Sequence, residues 1–479
     1  MTAGEAGQDR TILKKGHRKD RVWQSLFLLR EERDMAMENE NDKSLIMSPF
    51  VPNLIPGTAL YVCQEGKWTP LDSGEWPLVP FAYDTWVKEE VSWYDNSYIH
   101  AGLNPFMFFD VKGEDYLGLL SEISVSTFNN FPVGKARHTI LCNEKGKLVL
   151  DGIVVRRSED EFISMCLPDP AMLNRMMGDK YRFTSESTRC KRFFYQMCGP
   201  RSLEIVESAA EQDLHDIRFM YTKDTKIAGR DVFILRTGMA GTLGYEVHGK
   251  IEDALTVYSA LLEAGKEYGV TQLGRLGYVN CHAEGSIPQV AEHFATPFDE
   301  PPVISGSLPR DSELIYRSPV DLGWEKMINF NHDFVGKDAL QAELEGRHNT
   351  MVHLIWDKDD VLKVIATAFE AGGGCDVMDL VCDYDYIRNN GGIHIDAVYD
   401  GDRMIGASSG RMLSARTREM LSICTIDQDY AEEGKIVEVL WGNPGSRQMR
   451  IKARVLLFPY IKADRNEDFD VEKIPHPIF

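Results

Sequence analysis

The chain of 479 residues has no run of 18 apolar residues, so no segment reads as a membrane-spanning helix. Its opening stretch, MTAGEAGQDRTILKKGHRKD, is charged and holds no apolar signal core. The nine cysteines are scattered with no CxxC pair, a pattern of reduced, buried thiols rather than a disulfide framework or a zinc site. No basic patch or stripe offsets the net charge of −21, which argues against a nucleic-acid binder and a basic membrane-surface helix. The expectation is a soluble cytoplasmic protein with neither nucleic-acid nor membrane partners. Signatures of several enzyme classes are also missing: there is no GxxxxGK[ST] and no HExxH. GMAGTLG (238–244) has the wrong spacing for a dinucleotide fingerprint and lies between two strand patterns. The histidines are dispersed, and HAE at 282–284 is not a metal-ligand spacing, so no metal is expected.

What is present is ordinary globular material, 43% hydrophobic, enough for two to four domains. Residues 1–45 read as a charged helical preface with Val22, Leu26, Phe27 and Leu29 on one face. ALYVCQEGKWTPL reads as a hairpin turning at Gln64–Lys67. In GKARHTILCNEKGKLVLDGIVV (134–155), Ala136, His138, Ile140 and Cys142 alternate on one face, Asn143–Gly146 turn, and LVLDGIVV returns. FFYQMCGPRSLEIVE reads as strand into helix, and DVFILRTGMAGTLGYEVHG as strand, glycine-rich turn, strand. Ile251, Leu255, Tyr258 and Leu262 then repeat at helical spacing. Helices and strands mix without βαβ alternation, which predicts an α+β class. From about residue 350 the chain turns to short strands, among them RMIGASSG, EMLSICTI, KIVEVLWG and IKARVLLFPY, the spacing of a separate all-β domain.

Three residues stand out chemically. Asp151 lies inside an apolar strand, where a carboxylate costs several kcal/mol unless it is hydrogen-bonded or neutralised. Gly152 beside it removes a side chain and lets a ligand or another backbone approach. Glu246, in LGYEVHG, is a second carboxylate of the same form. Tyr278, in LGRLGYVNCHAEGSIPQ, carries a hydroxyl that suits a general acid where a leaving oxygen comes within reach. For each there is a plainer role: a paired structural carboxylate, or a tyrosine of the core.

These segments, in this order, resemble the folate-binding aminomethyltransferase family, the T-protein of the glycine cleavage system and its relatives. The matching pieces are VGKARHTILCNEKGKLVLDGIVV, CGPRSLEIVE, RTGMAGTLGYEVHG, VDLGWEKMINFNHDFVGKDAL and GDRMIGASSG with the closing RVLLFPY, spread over roughly residues 75–465. The LG-x-x-x-Y segment, GYEVHG and the ending FPYIKADRNEDFDVEKIPH carry a closer likeness to tetrahydrofolate-dependent aromatic O-demethylases of the vanillate, syringate and 3-O-methylgallate type. The resemblance implies a multi-domain T-protein-like fold: an extension over 1–70, a folate- and substrate-binding α+β core of two interleaved subdomains over 71–345, and a C-terminal β-barrel domain over 346–479.

It further implies transfer of a methyl group from an aryl methyl ether to N5 of tetrahydrofolate, with no metal. Glu246, Asp151 and Tyr245 would bind folate, which would lie over Asp151 with Gly152 giving it room, and Tyr278 would assist departure of the phenolate. Where vanillate-type relatives carry a histidine and an arginine in the aryl pocket, this sequence has Pro105 and Leu167, and Trp76–Pro77 replaces a tyrosine-proline. A substrate carboxylate then loses its charged partner. Candidates to meet it are His138, Arg137 and His282, with Trp76, Phe106 and Phe108 enclosing an aromatic ring. Rival readings are demethylation of a sulfonium or methylated amine, aminomethyl transfer, and a non-catalytic folate-binding protein. Met239–Ala240, in place of the Tyr-Thr usual in true T-proteins, and the lack of a Lys-Gly-Cys motif weigh against the last two. Homo-oligomer formation stays open.

Overall fold

The computed structural model describes residues 82–101, 107–188, 191–290, 292–297, 302–380, 393–462 and 464–479, preceded by the strand backbones Leu54–Pro56, Tyr61–Gln64, Lys67–Pro70 and Leu78–Pro80. The charged preface read at 1–45 lies outside the described residues. The hairpin after it forms, with Gln64 facing Lys67 across an antiparallel pair.

Two sheets make the core of the first part, one wholly antiparallel and one with a single parallel pair at its edge. One has five strands in the order Thr184–Ser187, Phe108–Lys112, Glu161–Met165, Leu148–Arg156, Ala136–Cys142. The other has six, in the order Thr222–Ile227, Arg230–Leu235, Gly244–Lys250, Arg192–Cys198, Tyr98–His100, Thr271–Gln272. The period-2 pattern assigns their faces. Val155, Ile163, Met165 and Phe108 of the first sheet meet Phe194, Phe233 and Leu235 of the second in one buried cluster. Val154 and Leu150 turn the other way, onto the helix Tyr116–Ile123. Tyr195, Tyr245 and Val247 likewise turn outward, under the helices Ser202–Ala210 and Ala254–Gly265.

The second of those helices buries Ala254, Val257, Leu261 and Gly265. The expected stripe of Ile251, Leu255, Tyr258 and Leu262 is therefore one residue out, and Leu255 is exposed. Small residues at both ends let this helix sit close to the sheet, and a reading weighted towards large side chains misses them.

The all-β part closes. Strands Ile393–Asp400, Arg403–Leu413, Met420–Asp427, Asn349–Trp356, Met449–Leu457 and Ile436–Trp441 pair in that order, and the last pairs back onto the first, giving a six-stranded barrel with Ile304–Ser305 added in parallel. The chain beyond Leu457 leaves the barrel and returns to the six-stranded sheet. There Arg236 Nη2 donates to the Asn466 and Phe469 carbonyls, both at 2.8 Å, and Asn466 Nδ2 donates to the Gly244 carbonyl at 3.0 Å. Among the described residues no helix is long and apolar enough to cross a membrane. The described cysteines are all free, and all but Cys166 are buried.

Candidate active site

The strand register builds the site. Leu235 faces Glu246, Glu246 faces Gln196, and Gln196 faces His100, in one row across four antiparallel strands. Directly opposed residues project from the same face, so Glu246, Gln196 and His100 stand side by side on the face turned towards the first sheet. Glu246 is 6% exposed, and its Oε2 lies 3.1 Å from Nε2 of His248. His248 is fully buried between the rings of Phe194 (5.0 Å) and Phe233 (4.4 Å), and burial holds it below the ordinary histidine range. A neutral imidazole there donates from Nε2, which fixes the carboxylate's orientation. Gln196 Oε1 accepts from the Tyr98 hydroxyl at 2.6 Å, while its Nε2 is buried with no hydrogen-bond partner among the described residues. A carboxylate acceptor and an uncommitted amide donor therefore adjoin.

His100 continues the row to Tyr278. Its Nδ1–H donates to the Leu273 carbonyl at 2.8 Å, and its ring stacks on the Tyr278 ring at 4.5 Å and 8°. Tyr278 is 2% exposed, on the helix Arg275–Glu284, with His282 edge-on at 4.6 Å. That segment has few strong helix formers, and tertiary contacts hold it helical. The Glu89 carboxylate accepts from the Gly274 N–H at the helix start, and the turn 238–244 packs on its end, where a Cβ on Gly241 would come 2.8 Å from the Gly285 carbonyl. The glycines of GMAGTLG therefore serve close packing: Cβ atoms on Gly238 and Gly244 would meet the Cys198 sulfur at 2.5 and 2.6 Å.

The first sheet contributes Asp151. Its Oδ2 accepts from His138 Nε2 at 2.7 Å, and Trp324 stands edge-on to His138 at 5.1 Å and 80°. Ile140 faces Asp151 and His138 lies diagonal to it, which brings the pair together on one face. Asp151 and Glu246 are also linked through Cys166, whose thiol is pushed up to about 12 by burial and by the charges of both carboxylates.

Gly152 makes room for backbone. A Cβ there would lie 2.1 Å from the Met165 carbonyl and 2.9 Å from Leu167 Cγ, where Cys166 takes a left-handed φ of 61°. The expectation that Gly152 gives a bound folate room is therefore corrected: the space is filled by the backbone of Met165 and Cys166 and by Leu167. Gly152→Ala should destabilise the fold by about 3 kcal/mol, since backbone must move. A urea midpoint equal to that of the parent would contradict this.

Other candidates sit elsewhere. Arg137 points to the opposite side of the strand from His138, donating to the Thr127 carbonyl and, at 2.7 Å, to that of Asn130, with its guanidinium over Phe128 and Phe131. It latches a loop and does not face the carboxylates, because adjacent strand residues take opposite faces. Tyr245, beside Glu246, is buried with Tyr195 and Val247 under the helices for the same reason. Phe108 belongs to the core between the sheets, 6.3 Å from Phe194. His282 has no exposed surface and supports Tyr278 from the side, its Nδ1–H donating to the Ile287 carbonyl at 3.1 Å. Leu167 is buried. Trp76, Pro105 and Phe106 lie outside the described residues. Gln196, His100 and Trp324 were not predicted. For Trp324 the signal existed, in the LGW motif.

Behind the Tyr278 helix lies a second acidic group. Glu90 and Glu284 are both wholly buried: Asn280 Nδ2 (3.2 Å) and the Ala415 N–H donate to Glu90, and Trp93 Nε1 (3.0 Å) to Glu284. Burial, then the neighbouring Glu284 charge, pushes Glu90 up to about 9, and burial raises Glu284 too. The unfolded chain releases such protons near pH 4–5. Between there and about pH 9 the native state holds a proton that the unfolded state lacks, so stability falls as pH rises through that window. Glu90→Gln should flatten this slope in calorimetric melts from about pH 6 to about pH 9. An unchanged slope would contradict the assignment.

Comparison with known proteins agrees with this architecture. The fold matches the aminomethyltransferase T of the glycine cleavage system from Bartonella henselae, at a TM-score of 0.58 and 16% identity, over 86% of this chain and 95% of that one. A mixed α/β core with a closed barrel on the T-protein plan is therefore the class. Residues 65–295 match the GCVT N-terminal domain. The chain is 38% identical over 448 residues to the sesamin methylene transferase of Sinomonas sp. (strain No.22), covering 88% of this chain and 98% of that protein. It is 26% identical over 425 residues to the syringate O-demethylase of Sphingobium sp. (strain NBRC 103272 / SYK-6), covering 80% and 90%. The chain belongs to the GCVT aminomethyltransferase family and is an enzyme of the transferase class.

Proposed function

We propose that this enzyme moves a one-carbon unit from an aryl ether oxygen to N5 of tetrahydrofolate, an aryl methyl ether giving a phenol and 5-methyltetrahydrofolate. The observation that carries the reading is the row Glu246–Gln196–His100 ending on Tyr278. Its first two members suit the pterin edge: a carboxylate to accept from ring and amino N–H groups, beside the otherwise unpartnered amide donor of Gln196 for the ring carbonyl. Asp151, held by His138, lies on the opposite wall.

Bound folate supplies the nucleophilic nitrogen. The residues of the chain do the rest. Glu246 and Gln196 fix the orientation of the heterocycle, so that attack on the carbon is in line and near contact distance. Tyr278, immobilised between His100 and His282, gives a proton or hydrogen bond to the oxygen whose bond to carbon breaks. For each carbon–oxygen bond broken, one carbon–nitrogen bond forms, one proton leaves nitrogen and one arrives on the released oxygen, so transfer of a methyl or a methylene carbon is balanced without net oxidation. In this reading the enzyme acts in the cytoplasm, degrades lignin-derived aromatics and feeds one-carbon metabolism.

A second donor, a methylenedioxy arene, is favoured by the 38% identity to sesamin methylene transferase. Leu167, uncharged and buried where the resemblance puts an arginine, also suits a neutral donor. Anaerobic incubation with tetrahydrofolate and a panel of aryl methyl ethers and methylenedioxy arenes separates the two. A 5-methyl product establishes the first donor class and a 5,10-methylene product the second. Folate binding with transfer from neither would move the donor to a sulfonium or an amine, and no folate binding would end the folate reading.

A further inference from the structure

On the helix-covered side of the six-stranded sheet, opposite the face that carries Glu246, one ligand atom each from Asp213, His215 and His476 lie within 4.8 Å of one another. His215 is nearly fully buried. Its Nε2–H donates to the Ile474 carbonyl at 3.1 Å, which leaves Nδ1 as the nitrogen turned into the group. That nitrogen faces Glu207 Oε1 at 2.9 Å and Asp213 Oδ1 at 3.2 Å. A ring nitrogen and two carboxylate oxygens converge there, an arrangement that a proton or a metal ion can bridge. A ring N–H anchored on a backbone carbonyl, with the other nitrogen presented, is also the usual setting of a metal-bound histidine.

His476 completes the group. Its Nδ1 is 2.6 Å from Asp213 Oδ2, its Nε2 is 3.3 Å from Glu472 Oε2, and its ring stacks on that of His215 at 3.9 Å. Three carboxylates, from Glu207, Asp213 and Glu472, surround the two imidazoles. A divalent ion suits those donor types. Two imidazole nitrogens and one carboxylate suit zinc, with a position left for water.

We propose that Asp213, His215 and His476 bind a divalent transition-metal ion, zinc fitting best, which staples the C-terminal tail to the loop after the helix Ser202–Ala210. The staple is structural. Upstream of it the same tail holds Arg236 and the Gly244 carbonyl, at the start of the strand that carries Glu246. Sequence spacing hides the site because His476 comes 263 positions after Asp213.

The test uses the full chain, stripped with a chelator and titrated calorimetrically with zinc alone, with metal content measured after dialysis. The expected result is about one zinc per chain and a higher melting temperature with metal. Asp213→Asn and His476→Ala, both at half-exposed side chains, should weaken binding about tenfold or more, while His348→Ala, an exposed histidine elsewhere, leaves it unchanged. Circular dichroism confirms that each variant is folded, and either folded variant suffices to decide. Absence of stoichiometric zinc in the parent, or parent-like affinity in a folded variant, would overturn the proposal.

Discussion

Tyr278→Phe is expected to fold as the parent does and to lose about a hundredfold or more in turnover, the usual scale of a general acid. The expectation of normal folding rests on what surrounds the ring. His100 stacks on its face and His282 meets its edge, and both contacts survive when the hydroxyl goes. The loss belongs to the chemical step, because an aryl oxide departs poorly unless its charge is met as the bond to carbon breaks. The measurement is kcat beside the folate dissociation constant in the same preparation. The account predicts a fall in the first with little change in the second. A variant with near-parental turnover would remove Tyr278 from the mechanism and leave it a core residue.

Glu246→Gln carries the second large effect, with the opposite signature. The substitution keeps size and strand position but removes the charge. A charge-assisted hydrogen bond in a buried site contributes about 1.5–3 kcal/mol, so folate affinity should fall roughly ten- to a hundredfold. Stability should change far less, since His248 Nε2 can still donate to the amide oxygen. Titration of the variant with tetrahydrofolate, followed by fluorescence or calorimetry, reads the effect directly. Parental affinity would show that Glu246 is a structural partner of His248 and nothing more. The two variants together distinguish holding the acceptor from releasing the aryl oxide.

Much of this was legible in the sequence, for reasons that particular residues make plain. Carboxylates inside apolar strands attract notice because burial is costly, and both Asp151 and Glu246 proved to be partnered, by His138 and His248. The α+β core and the closed barrel also follow from hydrophobic periodicity and strand spacing, together with the family likeness. What the sequence could not supply was register. Gln196 and His100 become neighbours of Glu246 solely through cross-strand pairing, which a linear reading does not contain. Arg137 and Tyr245 adjoin His138 and Glu246 in the chain, and on a strand adjacency means opposite faces. Gly152 reads from the sequence as room for a bound folate, and packing against the Met165–Leu167 segment fills that room instead. Glu90 and Glu284 carry no local signal at all. They meet because the helix of Tyr278 is wedged between the barrel and the helix Trp86–Glu90.

The most direct test of the central claim follows the carbon itself. An aryl ether donor labelled isotopically at its ether one-carbon group is incubated anaerobically with the enzyme and tetrahydrofolate, and the folate and the released phenol are separated and weighed by mass spectrometry. The account predicts that the label leaves the aryl oxygen and is recovered on folate, one equivalent for each phenol formed, and that Tyr278→Phe slows both appearances equally. Phenol released with the label found in anything other than folate would contradict it.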